Sequence, residues 1–278
     1  WVWLFGVDGG MTIYIKFVRK PKEQHNLFDF AVSLVFLMLV NVMACIAKSR
    51  KERDQQSKFL MVLKEKQASK HMFHILNFMV PQFVIIPMIS DPGGTIAEHV
   101  RRASILFAML VDFDQTARRL PPNELLAILN QYFTMLDQMC LRHGVTKIET
   151  VGEEYVCAVG VVPTDRDEDQ ANGHRHILGK LLHVASDIMR LQAETNGAAV
   201  FKLGIHTGPV VAGVIGNKLP RFRLFGDTIN TAARMMQRGL PGELQFGAET
   251  YRELPQWARA AARHRGAIEM KGKGLVEA

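Results

Sequence analysis

Apolar and polar positions divide the chain into three stretches of different character. Phe30 to Ala47 is an 18-residue run broken only by Ser33 and Asn41. That is the lower limit for a helix crossing a hydrocarbon core, although a buried or interfacial helix has the same pattern. It begins too late for a signal peptide and lacks a small-residue cleavage pattern. Beyond it, Phe59, Leu60, Val62 and Leu63, then Met72, Phe73, Ile75, Leu76 and Met79, recur at three- and four-residue spacing. This predicts an amphipathic helix over 48–90 that pairs with a partner helix. Pro81 and Asp91-Pro92-Gly93-Gly94 end it, which puts a domain boundary between Ser90 and Arg102.

The third stretch mixes two periods. Ser104 to Val111 reads as a buried strand. Asn123 to Leu141 reads as a helix with Leu125, Leu126, Ile128, Leu129, Phe133 and Leu136 inward and Gly144 after it. Val145 to Val151 alternates, Gly152-Glu153 turns the chain, and Tyr155 to Val161 returns. Val162 to Gly173 reads as a polar loop and His174 to Glu194 as a second long helix. Phe201 to Ile205, a Thr-Gly-Pro turn and Val210 to Ile215 read as a hairpin. Gly204, Gly208, Gly213 and Gly216 suit close backbone or ligand approach. Asp227 is an N-cap candidate for a helix over Thr228 to Gln237, stopped by Gly239. The order βαββαβ predicts an α+β, ferredoxin-like sheet with helices on one face.

Composition narrows the setting. The 278 residues are 48% hydrophobic, enough for one full domain with added elements, and carry a net charge of +7. One basic cluster, Lys48, Arg50, Lys51 and Arg53, follows the apolar run and suits anionic lipid. A second lies in a loop with Lys218, Arg221 and Arg223 and suits a polyphosphate. Neither resembles a nucleic-acid stripe, so no nucleic-acid partner is expected. Cys45, Cys140 and Cys157 are isolated and odd in number, giving neither a disulfide framework nor metal spacing. That fits a reducing cytosol. The apolar start, Trp1 to Val7, reads as the tail of an earlier membrane helix in a fragment, so 1–29 is expected to be juxtamembrane or extracytosolic. Lysine and arginine flank both ends of 30–47, so charge alone orients it weakly.

On the 228–237 helix, Asn230 and Arg234 stand four apart and share a face. An amide beside a guanidinium suits a sugar hydroxyl and a phosphoryl oxygen, though a solvated face has the same look. The surrounding sequence is more telling. HTGPVVAGVIG followed by FGDTINTAARM resembles the catalytic domain of class III nucleotide cyclases, the adenylyl and guanylyl cyclases. The resemblance runs from about Ala103 to Gly274, and HILNFMVPQFV is similar to the linker between membrane helix and catalytic core in membrane cyclases. It implies a transmembrane helix over 30–47, a signalling-type linker helix over 48–90 and a cytosolic catalytic domain over 102–278. The chain stops soon after KGKG, where the family has another strand, so the domain is expected to be truncated at its C-terminus.

The resemblance also assigns roles. Asn230 orients the ribose and Arg234 stabilises the charged transition state. Glu149 in KIETVG stands where guanylyl cyclases accept hydrogen bonds from guanine, and a carboxylate matches the N1–H and N2–H donors. Arg223 stands at the second purine-reading position. It can donate to guanine O6 and N7, or pair with Glu149 and fill the pocket. Lys273 matches a lysine that contacts the terminal phosphates, with Lys271 as the fallback. The metal-binding aspartates of the family are replaced by Met109 in FAMLVDF and Glu153 in TVGEEY. A thioether is a poor magnesium ligand, and Asp112 and Asp114 substitute only if the loop is rebuilt. The chain therefore resembles the substrate-recognising half of a heterodimeric membrane guanylyl cyclase. It is expected to bind GTP while a second cyclase domain with intact Asp residues, on this chain or another, holds Mg2+ or Mn2+. An adenylyl cyclase half and a catalytically silent pseudo-cyclase are the alternatives.

Overall fold

The computed structural model describes residues 2–7, 10–15, 27–91, 96–195, 199–215, 220–270 and 272–277. The chain separates into two compact units, Trp1–His71 and Met72–Ala278.

In the first unit, β1 (Val2–Val7) pairs antiparallel with β2 (Gly10–Ile15), from Val2 opposite Ile15 to Val7 opposite Gly10. The start of the chain is thus a β-hairpin and not the tail of a helix; its valine, tryptophan and phenylalanine favour strands. Helix α1 (Leu27–Met79) runs on from this unit without a break between the apolar run and the charged stretch. Its segment Phe30–Leu76 contains a window long and apolar enough to cross a membrane by length and composition. Phe59, Leu60, Val62 and Leu63 are exposed, so within the described residues nothing covers the expected pairing face. The helix stops before Pro81, whose ring disfavours helical backbone in the residue ahead of it.

The second compact unit begins at Met72 and so takes in the end of α1. Helix α2 (Gln82–Ser90) follows Pro81, and Val80, Val84 and Ile85 are buried with the sheet. The elements then run β3 (Ala97–Leu110), α3 (Phe113–Arg119), α4 (Pro122–His143), β4 (Thr146–Val151), β5 (Glu154–Val159), α5 (Pro163–Asn172), α6 (His174–Glu194), β6 (Phe201–Ile215), β7 (Arg221–Phe225) and α7 (Asp227–Arg238). After them come β8 (Leu244–Phe246), α8 (Ala248–Glu253), α9 (Gln256–Ala261), β9 (Ala267–Met270) and β10 (Gly274–Glu277). The sheet order is β4-β5-β3-β6-β7, antiparallel throughout, with β8 added parallel to the start of β6. This is the ferredoxin-like βαββαβ arrangement, extended at one edge.

Helices cover both faces, not one. Leu136 and Cys140 of α4 and Ile177, Leu178, Leu181 and Ile188 of α6 pack against Leu106, Tyr155, Leu203 and Ile205. On the other face Ala232 and Met236 of α7 join Ile105, Phe107, Val156, Val210 and Phe222. Leu126 points away from both, 64% exposed.

Three local expectations are corrected. The Thr-Gly-Pro segment is not a turn, because β6 runs through it as one strand. Pro209 lacks a donor, but it lies opposite a bulge in β3, where the register shifts between Val100 and Ala103 and no ladder bond is needed. The polar stretch after Val162 is helix α5; Pro163 starts it and buried Asp165 accepts the Gly160 N–H at 2.9 Å. Arg221 and Arg223 lie on strand β7, not in a loop, while Lys218 and Lys271 fall outside the described residues. Past Lys273, the four-residue strand β10 pairs with β9.

Candidate functional site

Two positions at opposite ends of the sheet order meet in space. Glu149 is on β4, just past a bulge at Ile148, and Arg223 is on β7. Arg223 Nη2 lies 3.1 Å from Glu149 Oε2. The sheet is curled enough for β4 and β7 to approach one another. The pair is half open to solvent, with side-chain exposures of 40% and 23%, so its contribution to stability is about 1 kcal/mol or less.

Asn230 and Arg234 lie on α7, which is seated unusually close to the sheet. A Cβ on Gly204 would lie 2.1 Å from the Met236 backbone nitrogen, and one on Gly208 would lie 2.7 Å from Thr228 Oγ1. The Thr228 hydroxyl donates to the Pro209 carbonyl at 2.6 Å. Glycine in β6 thus fixes the height of α7 and of the side chains it presents. Asn230 is exposed and Arg234 half-buried, and neither has a hydrogen-bond or ion-pair partner among the described residues. The turn between β9 and β10 sits beside Arg234: a Cβ on Gly272 would come 3.8 Å from Arg234 Nη1. In that turn Lys273 donates through Nζ to Asp227 Oδ2. Asp227 is the first residue of α7 and not its cap, and the Lys273 ammonium holds its carboxyl below the ordinary value.

The structure thus brings Glu149 to Arg223 and Arg234 to the turn of Lys273, with Asn230 one helical turn from Arg234 on α7. Composition and spacing gave no sign of two further groups. Asp227 and Lys273 are 46 residues apart, and no helical or strand periodicity links them. His206 lies in β6, buried, with its Nδ1 unpartnered and with Asp227, Lys273 and Glu249 as its charged neighbours.

The degenerate metal positions do not assemble a cation site. Met109 is half-buried against the second apolar cluster, opposite Glu154 and Lys202 on neighbouring strands. Glu153 lies in the β4–β5 turn, and burial, with Glu153 beside it, pushes the Glu154 carboxyl up. Asp112 takes left-handed backbone (φ 56°) ahead of α3 and accepts from Gln115 Nε2 at 3.3 Å. Among the described residues no three His, Cys, Asp or Glu side chains converge. This donor set does not fit a divalent ion.

One constellation has the form of a nucleophilic triad without its access. Ser104 Oγ lies 2.8 Å from His174 Nε2, and His174 Nδ1 lies 3.2 Å from Asp169 Oδ2. Ser104 is fully buried and shares its hydroxyl with Thr207 at 2.8 Å, so no substrate reaches it. The trio ties the start of α6 to β3. A cavity of about 610 Å³ lined by Met189, Leu240 and Trp257 includes none of the candidate residues in its lining.

Comparison with known proteins places this geometry. Residues 96–278 match the model of the adenylate and guanylate cyclase catalytic domain. The chain is 32% identical over 231 residues to the rat guanylate cyclase soluble subunit beta-2, covering 83% of this chain and 32% of that protein. It is 29% identical over 261 residues to the receptor-type guanylate cyclase gcy-28 of Caenorhabditis elegans, covering 94% and 19%. The chain thus spans about a fifth to a third of the length of these relatives. The guanylate cyclase domain of RhGC from Catenaria anguillulae, solved in complex with GTP, superposes with a TM-score of 0.54 at 26% identity, over 65% of this chain and 95% of that one. The chain belongs to the adenylate and guanylate cyclase catalytic domain family.

Proposed function

We propose that the chain is one half of a dimeric nucleotide cyclase that converts GTP to cyclic GMP and pyrophosphate. In that reaction the ribose 3′-hydroxyl attacks the α-phosphorus and pyrophosphate leaves. The observation that carries this reading is the face of α7. It presents Asn230 and Arg234 without protein partners among the described residues, with Arg234 beside the turn that holds Lys273. Asn230 fixes the ribose and Arg234 neutralises charge developing on the α-phosphate. Lys273 meets the terminal phosphates. Glu149 accepts from guanine N1–H and N2–H, and Arg223, already against Glu149, donates to the O6 and N7 edge. A carboxylate has lone pairs enough for both the guanidinium and the base.

Met109 and Glu153 do not supply a metal centre, so the partner half holds the Mg2+ or Mn2+ that stabilises the transferred phosphoryl group. The apolar helix and its basic flank, Lys48 to Arg53, support a membrane anchor, and the need for a cytosolic nucleotide argues for a catalytic domain on the cytosolic side. Alkaline carbonate extraction should leave the full chain in the membrane pellet; release into the supernatant refutes the anchor.

Coexpression with a cyclase half that carries the intact Asp pair tests the main reading. The mixture should make cyclic GMP in excess of cyclic AMP, and this chain alone should make neither. Robust turnover by the chain alone, or none with any competent half, overturns it. The Arg223–Glu149 bridge favours one competing reading, a catalytically silent dimerisation module whose purine edge is closed.

A further inference from the structure

We propose that Asp227 is a positioning residue of the triphosphate site, holding the Lys273 ammonium and thereby seating the β9–β10 turn over Arg234. The inference rests on the reading of Lys273 as a phosphate contact. It starts from the weakness of the element that carries this lysine. Strands β9 and β10 are four residues each and form a two-stranded sheet of their own, unpaired with the main sheet. A lone hairpin of this size is marginal in water and takes its position from side-chain anchors.

Among the described residues the anchors are few. Met270 is buried at the end of β9, and His264 Nε2 meets Glu277 Oε2 at 2.6 Å at the far end of the hairpin. The turn itself has the Lys273 N–H bonded to the Met270 carbonyl at 3.0 Å and the Lys273 ammonium bonded to Asp227. Gly272 meanwhile lies against the Arg234 guanidinium. The Lys273 ammonium is thus held on the Asp227 carboxylate before any phosphate arrives, in a turn whose Gly272 neighbours the Arg234 guanidinium. The carboxylate is itself fixed from α7, where the Thr231 hydroxyl reaches Oδ2 at 3.4 Å and the Asp227 carbonyl at 2.8 Å. Phosphate oxygens then replace the carboxylate as the partner of a lysine already in place.

The proposal has a sign that simple electrostatics does not share. As a bare charge, Asp227 repels a triphosphate, so removing it should tighten GTP binding. As a positioning residue, removing it should weaken GTP binding. The test uses the full chain assembled with a metal-competent cyclase half, comparing Asp227→Asn, Asp227→Glu, Lys273→Ala and the double variant Asp227→Asn/Lys273→Ala. Asp227→Asn should raise the KM for GTP and the inhibition constant of pyrophosphate roughly tenfold, the scale of coupling between contacting residues. Inhibition by guanosine, which has no phosphate, should be unchanged. Asp227→Glu should recover part of the loss, and the double variant should be no worse than Lys273→Ala. A KM for GTP that is unchanged or lower in Asp227→Asn overturns the proposal while leaving the cyclase reading intact. A wild-type assembly that makes no cyclic GMP overturns both.

Discussion

Arg223 on β7 and Glu149 on β4 form an ion pair, 3.1 Å from Nη2 to Oε2, that joins the two edge strands of the curled sheet. Both residues stand at the positions proposed to read the purine, so the pair makes specificity a shared property. Glu149→Lys replaces an acceptor with a donor and sets two cations against each other. It should lower turnover with GTP selectively, by about tenfold or more, as expected when a buried donor edge loses its acceptor. Pairing it with Arg223→Asp should raise the use of ATP. Both nucleotides are measured with each variant in the reconstituted heterodimer; an unchanged GTP preference in Glu149→Lys removes Glu149 from the purine-reading role.

Arg234 and Asn230 should behave differently from Glu149. In the proposed roles, ribose positioning by Asn230 and charge neutralisation by Arg234, both act on the transition state more than on the bound nucleotide. Arg234→Ala and Asn230→Ala should each lower kcat about a hundredfold or more, the usual scale for loss of one positioned donor. The KM for GTP should move far less. Full turnover in Arg234→Ala refutes its catalytic assignment.

Two buried imidazoles should make the fold sensitive to mild acid. Burial is the largest influence on both His174 and His206 and pushes each below its ordinary value, although Asp169 beside His174 pulls the other way. The unfolded chain therefore takes up protons below about pH 6.5 that the folded chain excludes. Stability is unaffected well above that pH and falls as pH drops through it, by at most about 1.4 kcal/mol per pH unit for each histidine. The thermal midpoint should decline from pH 7.5 to 5.5, and His206→Gln should flatten the decline. Asp165 and Glu154, pushed up by burial, act in the opposite sense, so the histidine variant isolates the imidazole contribution. An equal slope in His206→Gln would show that His206 is charged in the folded protein.

Much of this architecture was legible from periodicity. Helix α6 falls over 174–194 as the pattern predicts, because an apolar face and flanking glycine are local signals. What failed was decided by distant residues. Pro209 reads as a turn until the bulge at Val100 on another strand removes the need for its missing donor. Helix α5 has almost no apolar residue to mark it; it is held by Asp165 on Gly160 and by Arg166 on Glu98. At the site, the resemblance supplied the positions of Glu149, Arg223, Asn230, Arg234 and Lys273. The bond from Lys273 to Asp227 is a product of tertiary packing, and the sequence carries no local trace of it.

Gly204 and Gly179 should respond to the same substitution in opposite directions. Gly204 lies in β6 under α7, and a methyl group there would sit 2.1 Å from the Met236 nitrogen and 2.5 Å from its Cα. Those are backbone atoms, so the helix itself must move, and overpacking of this kind costs about 3 kcal/mol. The shift also displaces Asn230 and Arg234. Gly204→Ala should therefore lower the thermal midpoint and, in the reconstituted heterodimer, reduce turnover beyond the loss of folded protein. Gly179 lies inside α6, with nothing within 4 Å of the position a Cβ would take. Alanine is the better helix former by about 1 kcal/mol, so Gly179→Ala should raise the midpoint and leave turnover unchanged. Circular-dichroism melts of the two variants decide the matter. A Gly204→Ala protein as stable as the wild type would mean that α7 does not sit at the height that places Asn230 and Arg234.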